Sequence, residues 1–403
     1  MSQPHIASSF KGLTRDSWLL ALASLFTDIS TEMLYPVLPV YLTQTLGATG
    51  LVVGAIEGAA TGAQNLIQGI SGSLSDKLQC RKPIALAGYA MAALAKPLIG
   101  VSSAWQGVLG ARFLDRLGTG VRSAPRDALI AASADRVSRG RAFGLEGVGD
   151  NLGAFLGPLI TVGLLLLLHI ELRTIFFLAI FPGLLAFATV VLVRERTAEV
   201  QARAKIEVSL SHLPRSYRRY LIATLVFGIG NSSNAFLILK TRELGASLVT
   251  TVLIYAGFNL VAALVSYPAG AIADRVGRRE LLIGAYAIFL LTYLGFAFAP
   301  SLSWAAVLFV LYGAFQGIFR AVGKALVSDL VPDHLRASGI GWYSAAIGLS
   351  GLIAGLVGGL LWDRIGHASV FLYGAAFAAL GGATFVALVP AGTAGGYARR
   401  NPD

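Results

Sequence analysis

The chain reads as an all-α polytopic membrane protein, with twelve spanning helices in two pseudo-symmetric bundles of six. Three observations predict this fold class. Of its 403 residues, 55% are hydrophobic and 13% charged, and the mean hydropathy is +0.70, more apolar surface than a water-soluble core of this size buries. Apolar runs of about 20 residues, long enough to cross about 30 Å of hydrocarbon, recur along the whole chain. The second half also repeats the first at a fixed spacing, as set out below.

The spans are expected at about 18–42, 50–72, 83–101, 106–132, 142–168, 174–193, 220–240, 248–269, 281–299, 303–328, 339–361 and 368–390, separated by short stretches rich in Gly, Pro, Ser and charge. They are helices because none shows the short alternation of a barrel strand, and in lipid every backbone polar group needs an internal partner. The first span follows a lead without an A-x-A cleavage site and carries acids, so it is read as a retained helix. The longest polar stretch, from RERTAEVQARAKIEV to PRSYRR, divides the chain. The expected organisation is a first bundle at 1–193, a cytoplasmic linker at 194–219, a second bundle at 220–390 and a cytoplasmic tail at 391–403.

A net charge of +11 invites a nucleic-acid reading, but its distribution favours orientation in a membrane. Outside the spans, only Arg173, Arg242, Arg364 and the border residue Lys240 follow odd-numbered spans. The many others sit at the termini and after even-numbered spans. By the positive-inside rule both termini are cytoplasmic, in a cell membrane expected to be the bacterial inner one. Basic clusters such as Lys77, Arg81 and Lys82 then face anionic headgroups, so membrane lipids are expected partners and nucleic acid is not. The single Cys80 excludes an intrachain disulfide and a cysteine metal cluster. Neither H-E-x-x-H nor G-x-S-x-G occurs, and the five histidines, at 5, 169, 212, 334 and 367, all fall at termini or loops. No enzyme, cofactor or metal site is therefore expected.

A shift of 198 residues relates the halves. Leu46, Gly47 and Ala48 return as Leu244, Gly245 and Ala246; Gly72 and Asp76 as Gly270 and Asp274; Arg81 as Arg279; Arg122 as Arg320; Asp135 as Asp333. With a three-residue slip, Arg141, Gly144 and Gly153 map onto Arg336, Gly339 and Gly348. Parallel six-helix repeats of this kind build secondary transporters, with a small-molecule site near the midplane.

Charges within spans cost about 2.5–3.5 kcal/mol each on insertion scales, so by default they face a partner or a watery cavity and mark function. In the first half these are Asp28 and Glu32 on the first span, Glu57 on the second, Asp115 on the fourth, and Glu146 and Asp150 on the fifth, against Lys96, Arg112 and Arg116. Asp28 and Glu32, four apart, share one helix face and cannot both ionise comfortably without a cation nearby, which makes one of them a natural proton carrier. A static network with the fourth span is the competing reading. Glu57 and Lys96 are open to pairing with each other, and Gln64 and Asn65 continue the face of Glu57. The second half offers neutral groups instead: Asn231 and Asn234 on its first helix, Asn259 on the next, with Arg320 placed to meet a substrate anion or to gate.

Three motifs resemble the major facilitator superfamily, over essentially the whole chain. Its loop pattern G-x-x-x-D-[R/K]-x-G-x-[R/K] is matched by GSLSDKLQCRK (72–82), where Gln79 replaces a glycine, and by GAIADRVGRR (270–279). The resemblance implies a cytoplasmic latch formed by Asp76, Lys77 and Arg81 and by Asp274, Arg275 and Arg279, with Arg122, Arg126, Asp127 and Glu146 as gate partners. GLEGVGDNLGAFLGP resembles the so-called antiporter motif through Gly144, Gly153, Gly157 and Pro158, expected to serve helix packing. ARFLDRLGTGVRSAPRDA resembles the arginine-bearing motif of the fourth helix, with Asp115 and Arg116 in the stretch and the glycines two residues late. The family's proton-linked arginine falls on Arg112, with Arg116 its rival. The resemblance implies a monomeric, proton-coupled antiporter exporting a small organic solute. Movement of a cation or metal chelate by the same fold is the alternative; a membrane receptor or embedded enzyme is the reading from another class. The proton-coupling set is then Asp28, Glu32, Arg112, Asp115, Arg116 and Asp150.

Overall fold

The computed structural model describes residues 13–78, 80–134, 138–195, 210–332 and 335–389. Among them helices dominate and no strand occurs. We label the helices α1 (Arg15–Glu32), α2 (Gly50–Leu78), α3 (Arg81–Val101), α4 (Trp105–Ala132), α5 (Arg139–Leu167), α6 (Leu172–Leu178), α7 (Ile180–Val191), α8 (Arg215–Gly230), α9 (Asn234–Glu243), α10 (Leu248–Val276), α11 (Arg278–Ala297), α12 (Leu302–Leu330), α13 (Arg336–Arg364) and α14 (His367–Leu388). Most of the linker and the whole tail lie outside the described residues.

Among the described residues, nine helical stretches are long and apolar enough to cross a membrane. Of the long helices outside this set, α1 carries Asp28 and Glu32, α2 carries Glu57, Gln64 and Asn65, and α4 carries Arg112, Asp115 and Arg116. Several expected spans are interrupted. The first breaks after Glu32 and resumes as a short turn at Leu38–Val40, running into a π-helical turn at Tyr41–Thr45. Pro36 and Pro39 lack the N–H that a continuous helix needs there. The seventh breaks between α8 and α9 at Asn231–Ser233, where Ser233 caps α9 by accepting from the N–H of Ala235. Polar residues that bond the local backbone compete with the helix at such a point.

Two compact units result. One gathers residues 1–35 and 67–202, the other 36–66 and 203–403. In the first unit α1 packs on α5 and α7, and α3 on α4 and α7. In the second, the equivalent helices pair in the same pattern: α8 with α13 and α14, α11 with α12 and α14. The repeat therefore holds in packing. It also holds in one polar contact. Lys82 Nζ donates to the carbonyl of Val191 at 2.7 Å, and Arg279 donates to the carbonyls of Val386 and Val389; the acceptors 191 and 389 stand 198 apart and the donors 197. In each unit a cation at the start of the third helix satisfies carbonyls at the C-terminus of the sixth, where the helix dipole favours it.

The cores of the units differ in composition. The second unit interlocks rings of Phe227, Tyr286, Phe289, Tyr293, Phe315 and Phe319, with centroids 4.0–6.2 Å apart. Such pairs contribute about 0.5–1.5 kcal/mol each beyond burial. In the first unit α1, α3 and α7 meet through Ala23, Tyr89, Ala186 and Val190, and its interior also holds charge.

Candidate functional site

The charged interior of the first unit is built by small residues on α5. Cβ atoms added at Gly149, Gly153 and Gly157 would meet the α1 backbone at Ala21, Leu25 and Ile29. The Cβ at Gly153 would lie 2.7 Å from that of Asp28, and the one at Gly157 3.0 Å from that of Glu32. Only glycine permits this approach. At Gly144 an added Cβ meets nothing within 4 Å, so the contact runs through 149, 153 and 157 rather than through the start of the motif. Pro158 follows the last of these glycines inside α5.

Asp150, one residue after Gly149, is thereby brought against α1. Asp28 and Asp150 lie close enough to share a hydrogen bond, with Glu32 and Arg122 within electrostatic reach of Asp28. Asp28, Glu32 and Asp150 are half-buried. Arg122, grouped in the sequence with the gate residues, also stands near this cluster. It is 5% exposed, lies over the ring of Tyr89 at 4.8 Å, and its Nε has no hydrogen-bond partner among the described residues, nor has the Tyr89 hydroxyl.

A second cluster surrounds Asp115. Lys96 Nζ donates to its Oδ1 at 2.8 Å and Arg112 Nη1 to its Oδ2 at 2.9 Å, while Arg116 Nε stands 3.9 Å from Oδ2. Lys96, Arg112 and Asp115 are all at most 1% exposed. Arg112 also faces the ring of Tyr35 at 5.5 Å. The cation that the sequence offered to Glu57 is thus committed to Asp115. A third cluster joins Arg126 to Asp127 at 2.9 Å and to Glu146 at 3.0 Å, with the Ser24 hydroxyl donating to Glu146 at 2.8 Å. The sequence groups these three charges; nothing in it points to Ser24 on α1 as their partner.

The loop motifs are described in part. The side chains of Asp76, Lys77 and Asp274 lie outside the described residues. The N–H groups of Arg81 and Lys82 both donate to Glu195 Oε1, at 2.7 and 3.1 Å, so Glu195 caps α3. Arg275 is exposed in the last turn of α10. In the second copy, where Gly277 adopts a φ of 113°, Arg278 pairs with Asp329.

The residues expected to line a substrate cavity are spread along several helices. Glu57 is buried, Gln64 and Asn65 are half-buried on α2, and Asn65 donates to its own helix at Thr61. Asn231 ends α8 and Asn259 is half-buried on α10. Tyr312 donates to Asn234 Oδ1 at 2.8 Å, and Tyr293 meets Ser232 at 3.1 Å. The break between α8 and α9 is therefore held by the ring cluster. Arg320 is exposed on α12. Among the described residues no three of His, Cys, Asp and Glu are arranged to hold a metal ion.

Comparison with known proteins gives this architecture a family. The chain is 31% identical to an uncharacterised MFS-type transporter of Methanocaldococcus jannaschii over 92% of this chain and 94% of that protein. It is 30% identical to the multidrug resistance protein MdtG of Salmonella paratyphi A over 81% of this chain and 83% of that one. Among solved structures, a point mutant of the nucleoside transporter NupG shares the fold with a TM-score of 0.78 at 15% identity, covering 93% of this chain and 100% of that one. A bacterial homologue of the human lysosomal transporter Spinster does so with a TM-score of 0.72 at 14% identity, covering 96% and 99%. The profile of the Major Facilitator Superfamily matches residues 20–241 and 220–400, and the chain belongs to that superfamily, as an integral membrane transporter rather than an enzyme.

Proposed function

We propose that the chain is a proton-coupled secondary transporter that exports a small organic solute by alternating access, with Asp28 and Asp150 sharing the coupled proton. The observation that carries this reading is the approach of α5 to α1, which sets Asp150 against Asp28 beside the buried Arg122. When the proton leaves, Arg122 is the nearby cation for the charge that remains. Glu32 stands one turn along α1 as the second carboxylate of the site. Asp115 is less suited to titrate, because both its oxygens are already occupied by fixed cations, so Arg112 and Arg116 act through that static cluster. The resistance to several drugs in the name of the 30% identical MdtG supports export of organic solutes. The Asp127–Arg126–Glu146 cluster and the two loop motifs are proposed as the gate on the side of the termini.

The test begins with a flux screen in proteoliposomes with and without an imposed pH gradient, which supplies a substrate. With that substrate, Asp28→Asn or Asp150→Asn should abolish gradient-driven transport while leaving substrate counterflow partly intact, because exchange moves no net proton. Normal gradient-driven rates in both variants would remove the pair from the coupling step. Loss of both activities together, with proton release triggered by a divalent cation, would favour the metal reading.

A further inference from the structure

The start of α2 is capped from far away in the chain. Thr49 accepts the N–H of Val52 at 3.4 Å, but the N–H groups of Gly50 and Leu51 donate to the two carboxylate oxygens of Asp363, each at 2.8 Å. Asp363 stands in the last turn of α13. From this cap the two helices run together on backbone rather than side chains. A Cβ at Gly359 would lie 2.5 Å from the Gly50 carbonyl and from the Leu51 Cα, one at Gly58 3.0 Å from the Leu352 Cα, and one at Gly54 would overlap the Gly355 carbonyl.

Residues 36–66 belong by the sequence repeat to the first six helices, yet they pack in the compact unit of the second. A glycine face gives close van der Waals contact without interlocked side chains, so it separates without rotamer rearrangement. What fixes its register is the pair of charge-assisted hydrogen bonds at its end, where a carboxylate also favours the positive pole of α2.

We propose that Asp363 is a positioning residue for transport: its carboxylate seats the first turn of α2 on α13 and sets the balance between a clasped and a parted state of these helices. The proposal rests on membership of a transporter family and on the cap, and is independent of which acid carries a proton. Asp363 and the α2–α13 glycine face form one device, in which the glycines make the parted state accessible and the carboxylate holds the clasped one.

Because Cys80 is the only cysteine, a Cys80→Ser chain carrying Thr61→Cys and Gly351→Cys reports on the clasp. A Cβ at Gly351 would lie 3.7 Å from Thr61 Cγ2, and mild oxidation should link the two positions. Asp363→Asn should shift the clasped–parted ratio by about fivefold, the scale of a lost helix cap, read as slower linking where the clasped state is the minor one and, in the chain without added cysteines, as faster amide hydrogen exchange over residues 50–61 where it is the major one. Asp363→Glu, which keeps a carboxylate, should stay nearer the parent, and exchange in α5 should not change. Unchanged linking and unchanged exchange in Asp363→Asn would overturn the proposal. So would an equal rise of exchange in α5, which would make Asp363 a general stabiliser rather than the holder of one contact.

Discussion

Asp115 illustrates how partners decide what a buried acid does. Its two oxygens face Lys96 and Arg112 in a site closed to solvent. Removing one member of a buried ion pair leaves the other uncompensated, at a cost of about 3–5 kcal/mol, whereas replacing both by apolar groups is often neutral. Asp115→Leu should therefore lower the thermal unfolding midpoint in detergent sharply. Lys96→Met combined with Asp115→Leu should recover part of the loss, and the double-mutant cycle measures how much. Sequence alone finds the acids, because a charge in an apolar run stands out. It does not find their partners. Lys96 lies 19 residues from Asp115 on another helix, and whether it faces Asp115 or Glu57 depends on how α3 and α4 are rotated against each other. Arg122 is a second case: its depth along α4 suggests the gate, and only the structure adds its contact with Tyr89 and its nearness to Asp28.

On the scale of single helices, the α1–α5 contact is the most exacting, since three consecutive turns of α5 touch the α1 backbone. Forcing a methyl group into such a contact costs about 1–3 kcal/mol and moves the helices apart. Gly153→Ala should thus lower thermal stability measurably, and it should impair transport by drawing Asp150 away from Asp28. Gly144→Ala, which adds its methyl to open space, should change neither. A screen of melting points for the two variants checks the contrast. The motif in the sequence includes both glycines and cannot separate them; Gly149, outside it, carries as close an approach as Gly153. The helix breaks are legible in part. The run Asn231 to Asn234 announces itself as polar, whereas the turn after Glu32 is hidden because residues 33–42 are as apolar as a continuous span and almost entirely buried.

At the scale of the whole molecule, the twelve expected spans and the 198-residue repeat anticipate the helical fold and the pairing of equivalent helices, since both depend on patterns that survive without knowing any contact. The attachment of residues 36–66 to the second unit is beyond such reasoning: it depends on close backbone contacts between α2 and α13 that leave no periodic mark in the sequence. Orientation is the remaining large-scale expectation. Reporter fusions after residues 205 and 400 should be active as cytoplasmic markers, and fusions near 103 and 301 as extracytoplasmic ones, following the distribution of Lys and Arg. A midpoint linker that reports outside would reverse the assignment.

The ring cluster of the second unit has a bearing on how the two repeats share their work. Contacts among Phe227, Phe289, Tyr293 and Phe315 keep their strength whatever the salt or acidity around the protein, whereas ion-paired carboxylates respond to both. One copy of the repeat is thus suited to be a stiff frame and the other a sensor. A change in salt or acidity should then disturb contacts inside the first unit while those among the rings of the second keep their strength.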